Sequence, residues 1–172
     1  QDLKKNYRAV YHIGKGTLVQ LADKELPNLQ LANEGDGDLA LLSTTTPYSL
    51  SSMWEGRTRS DYYTVNVETG ARKALATADY GRYRLSPAGK YAYWYGETDS
   101  CWYTRTMADG TLYRQTTPQT FAAWDVLNDV PDYPRSYGAA GWTADDKALL
   151  LYDQYDLWQF DPEGAKAPVN LT

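Results

Sequence analysis

Residues 85–95 read LSPAGKYAYWY, and the pattern in this stretch decides the fold. Leu85 is expected to end a short strand, and Ser86–Lys90 to form a polar turn. In the next five residues, 91–95, side chains alternate in the period of two that is typical of a β-strand. The same order of strand, polar turn and strand recurs at residues 142–152, which read WTADDKALLLY. A third example, at residues 33–42, has an Asp- and Gly-rich turn that leads into an apolar run. This recurrence indicates a repeated structural unit.

A hairpin with a glycine in its turn follows each of these segments, and one more lies near the N-terminus. The flanks alternate with period two, and glycine supplies the positive φ that short hairpin loops need. The four hairpins are Tyr7–Ile13 with Gly14–Gly16, Tyr62–Val67 with Glu68–Gly70, Trp102–Met107 with Ala108–Gly110, and Leu157–Phe160 with Asp161–Gly164. Their last glycines, at positions 16, 70, 110 and 164, are separated by 54, 40 and 54 residues.

Together the segments define a unit of four antiparallel strands. A four-stranded unit that recurs every ~40 to 45 residues, with loop insertions, is typical of β-propeller blades. The sequence therefore predicts an all-β fold, a partial β-propeller of about three to four blades in one domain, 1–172. Half a blade would occupy residues 1–23, and full blades about 24–76, 77–117 and 118–172. The alternative is a β-sandwich with glycine hairpins, which the period and unit order disfavour.

An insertion at residues 44–59 lengthens one connection within the first full blade, and it contains Pro47, Trp54 and Arg57. Aromatic rings on loops that a rigid scaffold holds often bind ligands, so Trp54 is a candidate for ligand contact. The alternative is that this ring packs in the core or anchors the loop.

A second insertion, at residues 118–135, is predicted to contain a short helix. Thr117 and Pro118 resemble an N-cap followed by proline at the first helical position. Apolar residues then recur at helical spacing, namely Phe121, Trp124 and Leu127, before Pro131 and Pro134 end the helix. Trp124 is the second aromatic candidate for ligand contact.

Composition and charge exclude several classes of protein. The 17 basic and 22 acidic residues give a net charge of −5, and no basic cluster exceeds Lys4-Lys5, so we expect no nucleic-acid binding. A single cysteine, Cys101, and a single histidine, His12, cannot form an internal disulfide or a Cys/His zinc site. No apolar run approaches the roughly 18 residues of a membrane span. A start at Gln1 without an apolar signal segment is expected of a processed or excised form.

The sequence offers no arrangement for nucleophilic catalysis. A Gly-x-Ser-x-Gly motif is missing, His12 lies in a predicted hairpin, and Cys101 is interpreted as a small buried apolar residue. Three carboxylate pairs remain, Asp36 with Asp38, Asp145 with Asp146, and Asp153 with Asp156. Acid–base chemistry or calcium binding is one interpretation of them, and acceptance of backbone N–H groups in tight turns is the favoured one. We therefore assign no catalytic residue, cofactor or metal.

The order of several segments resembles a known family. These segments are Leu85–Tyr91, Gly141–Lys147, and the run Tyr152–Trp158 to Asp161–Gly164 that closes with Val169–Thr172. They resemble the blades that precede the catalytic domain in the prolyl oligopeptidase family of serine peptidases, in particular large secreted, dipeptidyl-peptidase-like bacterial members. The resemblance covers nearly the whole chain and is strongest from about residue 61 to 172.

In that family a propeller caps an α/β-hydrolase domain and restricts which peptides reach a Ser-His-Asp triad. The resemblance implies a non-catalytic fragment whose partners are the α/β-hydrolase domain of the same polypeptide and, through the parent enzyme, a peptide substrate. It also implies a periplasmic or secreted parent. This sequence holds no hydrolase domain and no Glu-Glu pair for a substrate amine, so no family site residue is carried over. The residues we expect near substrate are Trp54, Arg57, Trp124, Asp125 and Asp129.

Other functions remain open at this stage. The chain could be a stand-alone module whose exposed Trp and Tyr rings bind sugars or peptides. A propeller glycosidase is a further alternative, which needs two carboxyl groups roughly 5 to 9.5 Å apart in a pocket. Sheet faces and edges without partners tend to pair, so we also expect self-association, for example as a homodimer.

Overall fold

The computed structural model describes residues 5–32 and 35–172, and strands dominate its regular structure. A two-stranded hairpin is followed along the chain by three four-stranded antiparallel sheets. The predicted all-β fold with repeated four-stranded units is therefore confirmed. Gln1, Lys4, Asn33 and Glu34, which enter the sequence argument above, lie outside the described residues.

The first of two compact units is Gln1–Tyr80, which holds the hairpin and the first sheet. The hairpin consists of β1 (Ala9–His12) and β2 (Thr17–Gln20). The first sheet has the order β3 (Asn28–Leu31), β4 (Leu39–Thr44), β5 (Ser60–Asn66) and β6 (Arg72–Asp79). A 3-10 helix, Thr46–Tyr48, and the short helix α1, Ser52–Glu55, lie between β4 and β5.

The core of this unit joins the hairpin to the first sheet. Leu21 and Leu26, which follow β2, pack with Leu42 of β4 and Val65 of β5. Alternation along β4 and β5 turns Leu42 and Val65 to the same face of the sheet, as expected for a half-buried sheet. The Arg72 guanidinium closes the edge of this core by donating to the carbonyl oxygen of Leu21 at 2.8 Å.

The second unit, Gly81–Thr172, holds the other two sheets. The second sheet consists of β7 (Arg84–Leu85), β8 (Tyr91–Gly96), β9 (Cys101–Thr106) and β10 (Leu112–Arg114). The third sheet consists of β11 (Ala139–Trp142), β12 (Leu149–Tyr152), β13 (Leu157–Phe160) and β14 (Val169–Asn170). In both sheets each strand pairs antiparallel with the strand that follows it in the chain.

Aromatic rings supply much of the core between these two sheets. Tyr93 and Trp102 of the second sheet pack with Leu149, Leu151 and Phe160 of the third. Tyr93 of β8 and Trp102 of β9 lie on the same face of the second sheet, and their rings stack. Tyr93 also meets the ring of Trp142 edge to face. The high Tyr and Trp content of the sequence is thus used for packing between sheets.

A buried carboxylate, that of Asp146, also joins the second and third sheets. Its Oδ2 atom accepts a hydrogen bond from the Ser86 hydroxyl at 2.5 Å, and its oxygens accept the N–H groups of Ala88 at 3.0 Å and Lys90 at 3.2 Å. The polar turn before β12 is thereby fixed to the polar turn before β8. Asp146 thus accepts backbone N–H groups, as predicted, but they belong to the turn before β8 and not to its own turn.

The four turn glycines adopt the conformation that the sequence predicts. Gly16, Gly70, Gly110 and Gly164 have φ values of 64°, 72°, 80° and 66°. L-residues with a side chain rarely adopt this left-handed region, so glycine is the residue that these hairpin turns require.

The predicted helix in residues 118–135 is wrong. The segment contains a turn at Thr117–Thr120 and then an irregular chain, with an isolated bridge between Trp124 and Ser136. Phe121 and Ala123 both face the core of the second unit, and a helix would turn two residues at this spacing to opposite sides. Packing of an extended backbone therefore overrides the helical spacing of the apolar residues.

Candidate functional site

Residues 45–59 connect β4 and β5 of the first sheet, and we call this segment the insertion loop. Helix α1 ends at Gly56, whose φ of 68° gives the left-handed C-terminal turn. Leu50, Met53 and Trp54 expose most of their surface on this loop, and Trp54 is 88% exposed. Three exposed apolar side chains within residues 50–54 are a candidate contact surface for another molecule.

The base of the insertion loop is anchored by the nearly buried Asp61. The Tyr48 hydroxyl donates to Asp61 Oδ1 at 2.5 Å, and the Ala78 N–H donates to the same oxygen at 2.9 Å. The hydrogen bond to the Asp61 carboxylate raises the pKa of the Tyr48 phenol above its usual value. These contacts hold the loop against β5 and β6, so its exposed side chains are presented from a fixed support.

A cationic and aromatic cluster lies at the end of the insertion loop. Glu55 and Arg59 form an ion pair, Arg59 Nε donates to the Tyr80 hydroxyl at 3.0 Å, and that hydroxyl donates to Glu55 Oε2 at 2.8 Å. The guanidinium carbons of Arg57 and Arg59 lie 4.9 and 5.4 Å from the centre of the Tyr80 ring. The cluster therefore combines positive charge with an aromatic face.

The other predicted site residues lie in the second unit. Trp124 is only partly exposed, and its indole N–H is buried without a hydrogen-bond partner. Asp125 Oδ1 accepts the N–H of Leu127 at 3.0 Å, which is a turn contact. Asp129 is exposed on the same segment. Trp54 and Arg57 thus share the insertion loop, whereas these three residues share the 118–135 segment.

Asp153 accepts hydrogen bonds within its own turn. Asp153 Oδ1 accepts the N–H groups of Tyr155 and Asp156 at 2.8 and 2.6 Å, and its Oδ2 accepts the Trp158 indole N–H at 2.8 Å. The turn interpretation is therefore confirmed for Asp153 as well. Within residues 5–32 and 35–172, no group of three or more His, Cys, Asp or Glu side chains could hold a metal ion.

The histidine and the cysteine have structural contacts. His12 Nε2 lies 3.2 Å from the carbonyl oxygen of Val67. Cys101 is fully buried, as predicted, and burial raises the pKa of its thiol although the nearby Arg114 guanidinium opposes that effect. Neither environment provides the exposed, activated nucleophile that covalent catalysis requires.

Two features of the structure were missed at the sequence level. Glu55 and Arg59 are four residues apart and form an ion pair, although Arg59 lies beyond the end of helix α1. Tyr80 joins this pair from the end of the first unit, and no local pattern marks it.

The part of the chain that the structure describes contains no helix with the length and apolar character that a bilayer crossing requires.

Comparison with known proteins bears on the fold. No protein-family model and no curated protein matches the chain. Among solved structures, the chain is similar to the crystal structure of TolB from Acinetobacter baumannii, with a TM-score of 0.50 and 15% sequence identity. The match covers 98% of this chain and 38% of the TolB chain. At this identity the likeness shows the fold alone, which is that of a partial β-propeller, the class predicted from the repeat.

Proposed function

We propose that this chain is a non-catalytic β-propeller module that binds a peptide segment through its insertion loop. The parent protein in this proposal is a serine peptidase of the prolyl oligopeptidase family, periplasmic or secreted, in which the propeller gates access to an α/β-hydrolase domain. The order of the blade segments in the sequence supports the choice of parent. The observation that carries the binding proposal is the anchored, exposed apolar surface of Leu50, Met53 and Trp54.

The chemistry of the insertion loop favours a peptide. Trp54 offers a flat apolar ring for an extended chain or a proline side chain, and it retains an indole N–H for a backbone carbonyl. The charge of Arg59 is paired with Glu55, and Arg57 adds a further positive charge beside the Tyr80 ring, which suits the carboxylate of an acidic side chain or a chain terminus. Truncation of a central Trp at an interface typically costs about 2 kcal/mol or more, which is about thirtyfold in affinity.

A titration of the whole chain with a panel of short proline-containing peptides tests this proposal. We expect binding by at least one peptide, and an affinity about thirtyfold lower for Trp54→Ala. Tyr155→Ala is the matched control, because Tyr155 is also a highly exposed ring, at 84%, but lies in the second unit. Equal losses in the two variants, or no peptide binding at all, would overturn the proposal.

A parallel panel of oligosaccharides separates the alternative function. An exposed Trp ring can also stack on a sugar face, which is the basis of the stand-alone carbohydrate-binding alternative. Binding of oligosaccharides only, with loss in Trp54→Ala, would replace the peptide proposal with that alternative.

The 118–135 segment is a second proposed contact region, with exposed Leu127 and Val130 beside Asp125 and Asp129.

A further inference from the structure

The connection between β10 and β11 contains a loop whose base is closed by backbone hydrogen bonds. The Asp125 N–H donates to the Arg135 carbonyl oxygen at 2.8 Å, and the Tyr137 N–H donates to the Ala123 carbonyl oxygen at 3.1 Å. We call residues 123–137 the bridged loop, because the isolated antiparallel bridge described above also lies at its base. These contacts hold the two ends of the loop together.

The base of the bridged loop is fixed to the second sheet. The Tyr95 hydroxyl, on β8, donates to the Pro134 carbonyl oxygen at 3.0 Å. The Trp102 indole N–H, on β9, donates to the Ser136 hydroxyl at 2.9 Å. Ala123 is fully buried in the core of the second unit. The loop is therefore held at its base by both strands and by the core.

The tip of the bridged loop, residues 126–133, is closed by its own hydrogen bonds. The Asn128 side-chain amide donates to the carbonyl oxygens of Val130 at 3.1 Å and Asp132 at 3.0 Å. A surface whose shape is set before binding loses less entropy when a partner arrives. Exposed apolar side chains on such a tip are a candidate contact surface. The exposed apolar side chains of the tip are Val126, Leu127, Val130 and Tyr133.

The bridged loop is also negatively charged. It contains three carboxylates, those of Asp125, Asp129 and Asp132, and one cation, Arg135. Among the residues that the structure describes, no Lys, Arg or His side chain forms an ion pair with these carboxylates. The hydrogen bonds that the Asp125 and Asp132 carboxylates accept come from backbone N–H groups, which do not neutralise the charge. Charge complementarity therefore favours a cationic partner.

We propose that the tip of the bridged loop binds a peptide segment in which Lys or Arg side chains flank an apolar one. The apolar side chain covers the exposed surface around Leu127, and the flanking cations reach Asp129 and Asp132. This inference rests on the proposed function only in treating the 118–135 segment as a contact region. The insertion loop offers the positive charge of Arg57 instead, so the two regions favour peptide segments of opposite charge.

Fluorescence anisotropy of two dye-labelled tetrapeptides with blocked ends, Lys-Leu-Pro-Lys and Glu-Leu-Pro-Glu, tests this inference on the whole chain. We expect the lysine peptide to bind more tightly, and its affinity to fall with added salt, because salt screens exposed charges. The paired substitution Asp129→Asn and Asp132→Asn should weaken its binding about fivefold. Asp145→Asn with Glu25→Gln is the matched control, because both side chains are exposed and the pair removes the same charge elsewhere.

Two further variants separate this inference from the proposal for the insertion loop. Leu127→Ala should weaken binding of the lysine peptide about threefold, because apolar contact area is lost, and Trp54→Ala should leave it unchanged. A loss in Trp54→Ala but not in the paired aspartate variant would overturn this inference and leave the insertion loop as the peptide site. No binding of the lysine peptide, equal binding of the two peptides, or equal losses in the paired variant and its control would also overturn it.

Discussion

Replacement of Asp146 by Asn tests the contact that joins the second and third sheets. The carboxylate accepts three hydrogen bonds, from the Ser86 hydroxyl and from the N–H groups of Ala88 and Lys90. Hydrogen bonds to a carboxylate contribute about 1.5–3 kcal/mol each, and the amide keeps only one acceptor oxygen. We therefore expect Asp146→Asn to lower the free energy of unfolding by about 2–4 kcal/mol.

Asp145 provides a matched control next to this residue. Asp145 and Asp146 both have a positive φ, of 61° and 56°, which Asn tolerates, so neither substitution adds backbone strain. The Asp145 side chain is 71% exposed, with one weak ion pair to Lys147 at 3.4 Å, and Asp145→Asn should change the free energy of unfolding by less than about 0.5 kcal/mol.

Urea unfolding followed by tryptophan fluorescence measures both variants. A double-mutant cycle of Asp146→Asn with Ser86→Ala should give a coupling energy of about 1 kcal/mol or more, because the two groups share a hydrogen bond. Equal losses for Asp146→Asn and Asp145→Asn, or additive effects in the cycle, would refute the assignment of Asp146 as the group that joins the two sheets.

Three further predictions follow from burial. Leu151→Ala should lower the free energy of unfolding by about 2–5 kcal/mol, because Leu151 is fully buried. Leu50→Ala on the exposed insertion loop should change this free energy by less than about 0.5 kcal/mol. Urea unfolding of the two variants compares these effects. Burial, followed by hydrogen bonds to acidic groups, raises the pKa of Tyr91 and of Tyr103 to about 12, so the native state keeps protons that the unfolded chain releases near its ordinary value of 10. Stability should be complete below pH 10 and fall as the pH rises towards 12, and a urea midpoint that does not change over this range would contradict this. The Cys101 thiol, whose pKa is raised by burial, should react with a thiol reagent far more slowly in the native protein than in urea; equal rates would contradict its burial.

The repeat carried most of the information about the fold. Alternating aromatic and β-branched residues on either side of fixed turn glycines predict hairpins, because both signals are local and both act through the backbone. Gly70 and Gly110 show this, since each lies in the left-handed conformation between the third and fourth strands of its sheet. The order of polar turns and glycine turns then predicts the four-stranded units.

Features that depend on contacts between distant residues were not accessible from local patterns. Phe121 and Trp124 have helical spacing, yet Phe121 meets Trp158 and Phe160 edge to face at ring distances of 5.4 and 5.0 Å. Those partners lie more than 30 residues away in the sequence, and they decide the backbone of the segment. The difference between Trp54 and Trp124 has the same origin, because exposure depends on which neighbours the fold brings to each ring.

The most direct test of the proposed function is the sequence of the gene downstream of the codon for Thr172. The account predicts an open reading frame that continues into an α/β-hydrolase domain with a Gly-x-Ser-x-Gly motif, followed by the Asp and His of the triad. Continuation into a domain without this motif, or a stop codon at this position in the intact gene, would contradict the assignment to a prolyl oligopeptidase family peptidase.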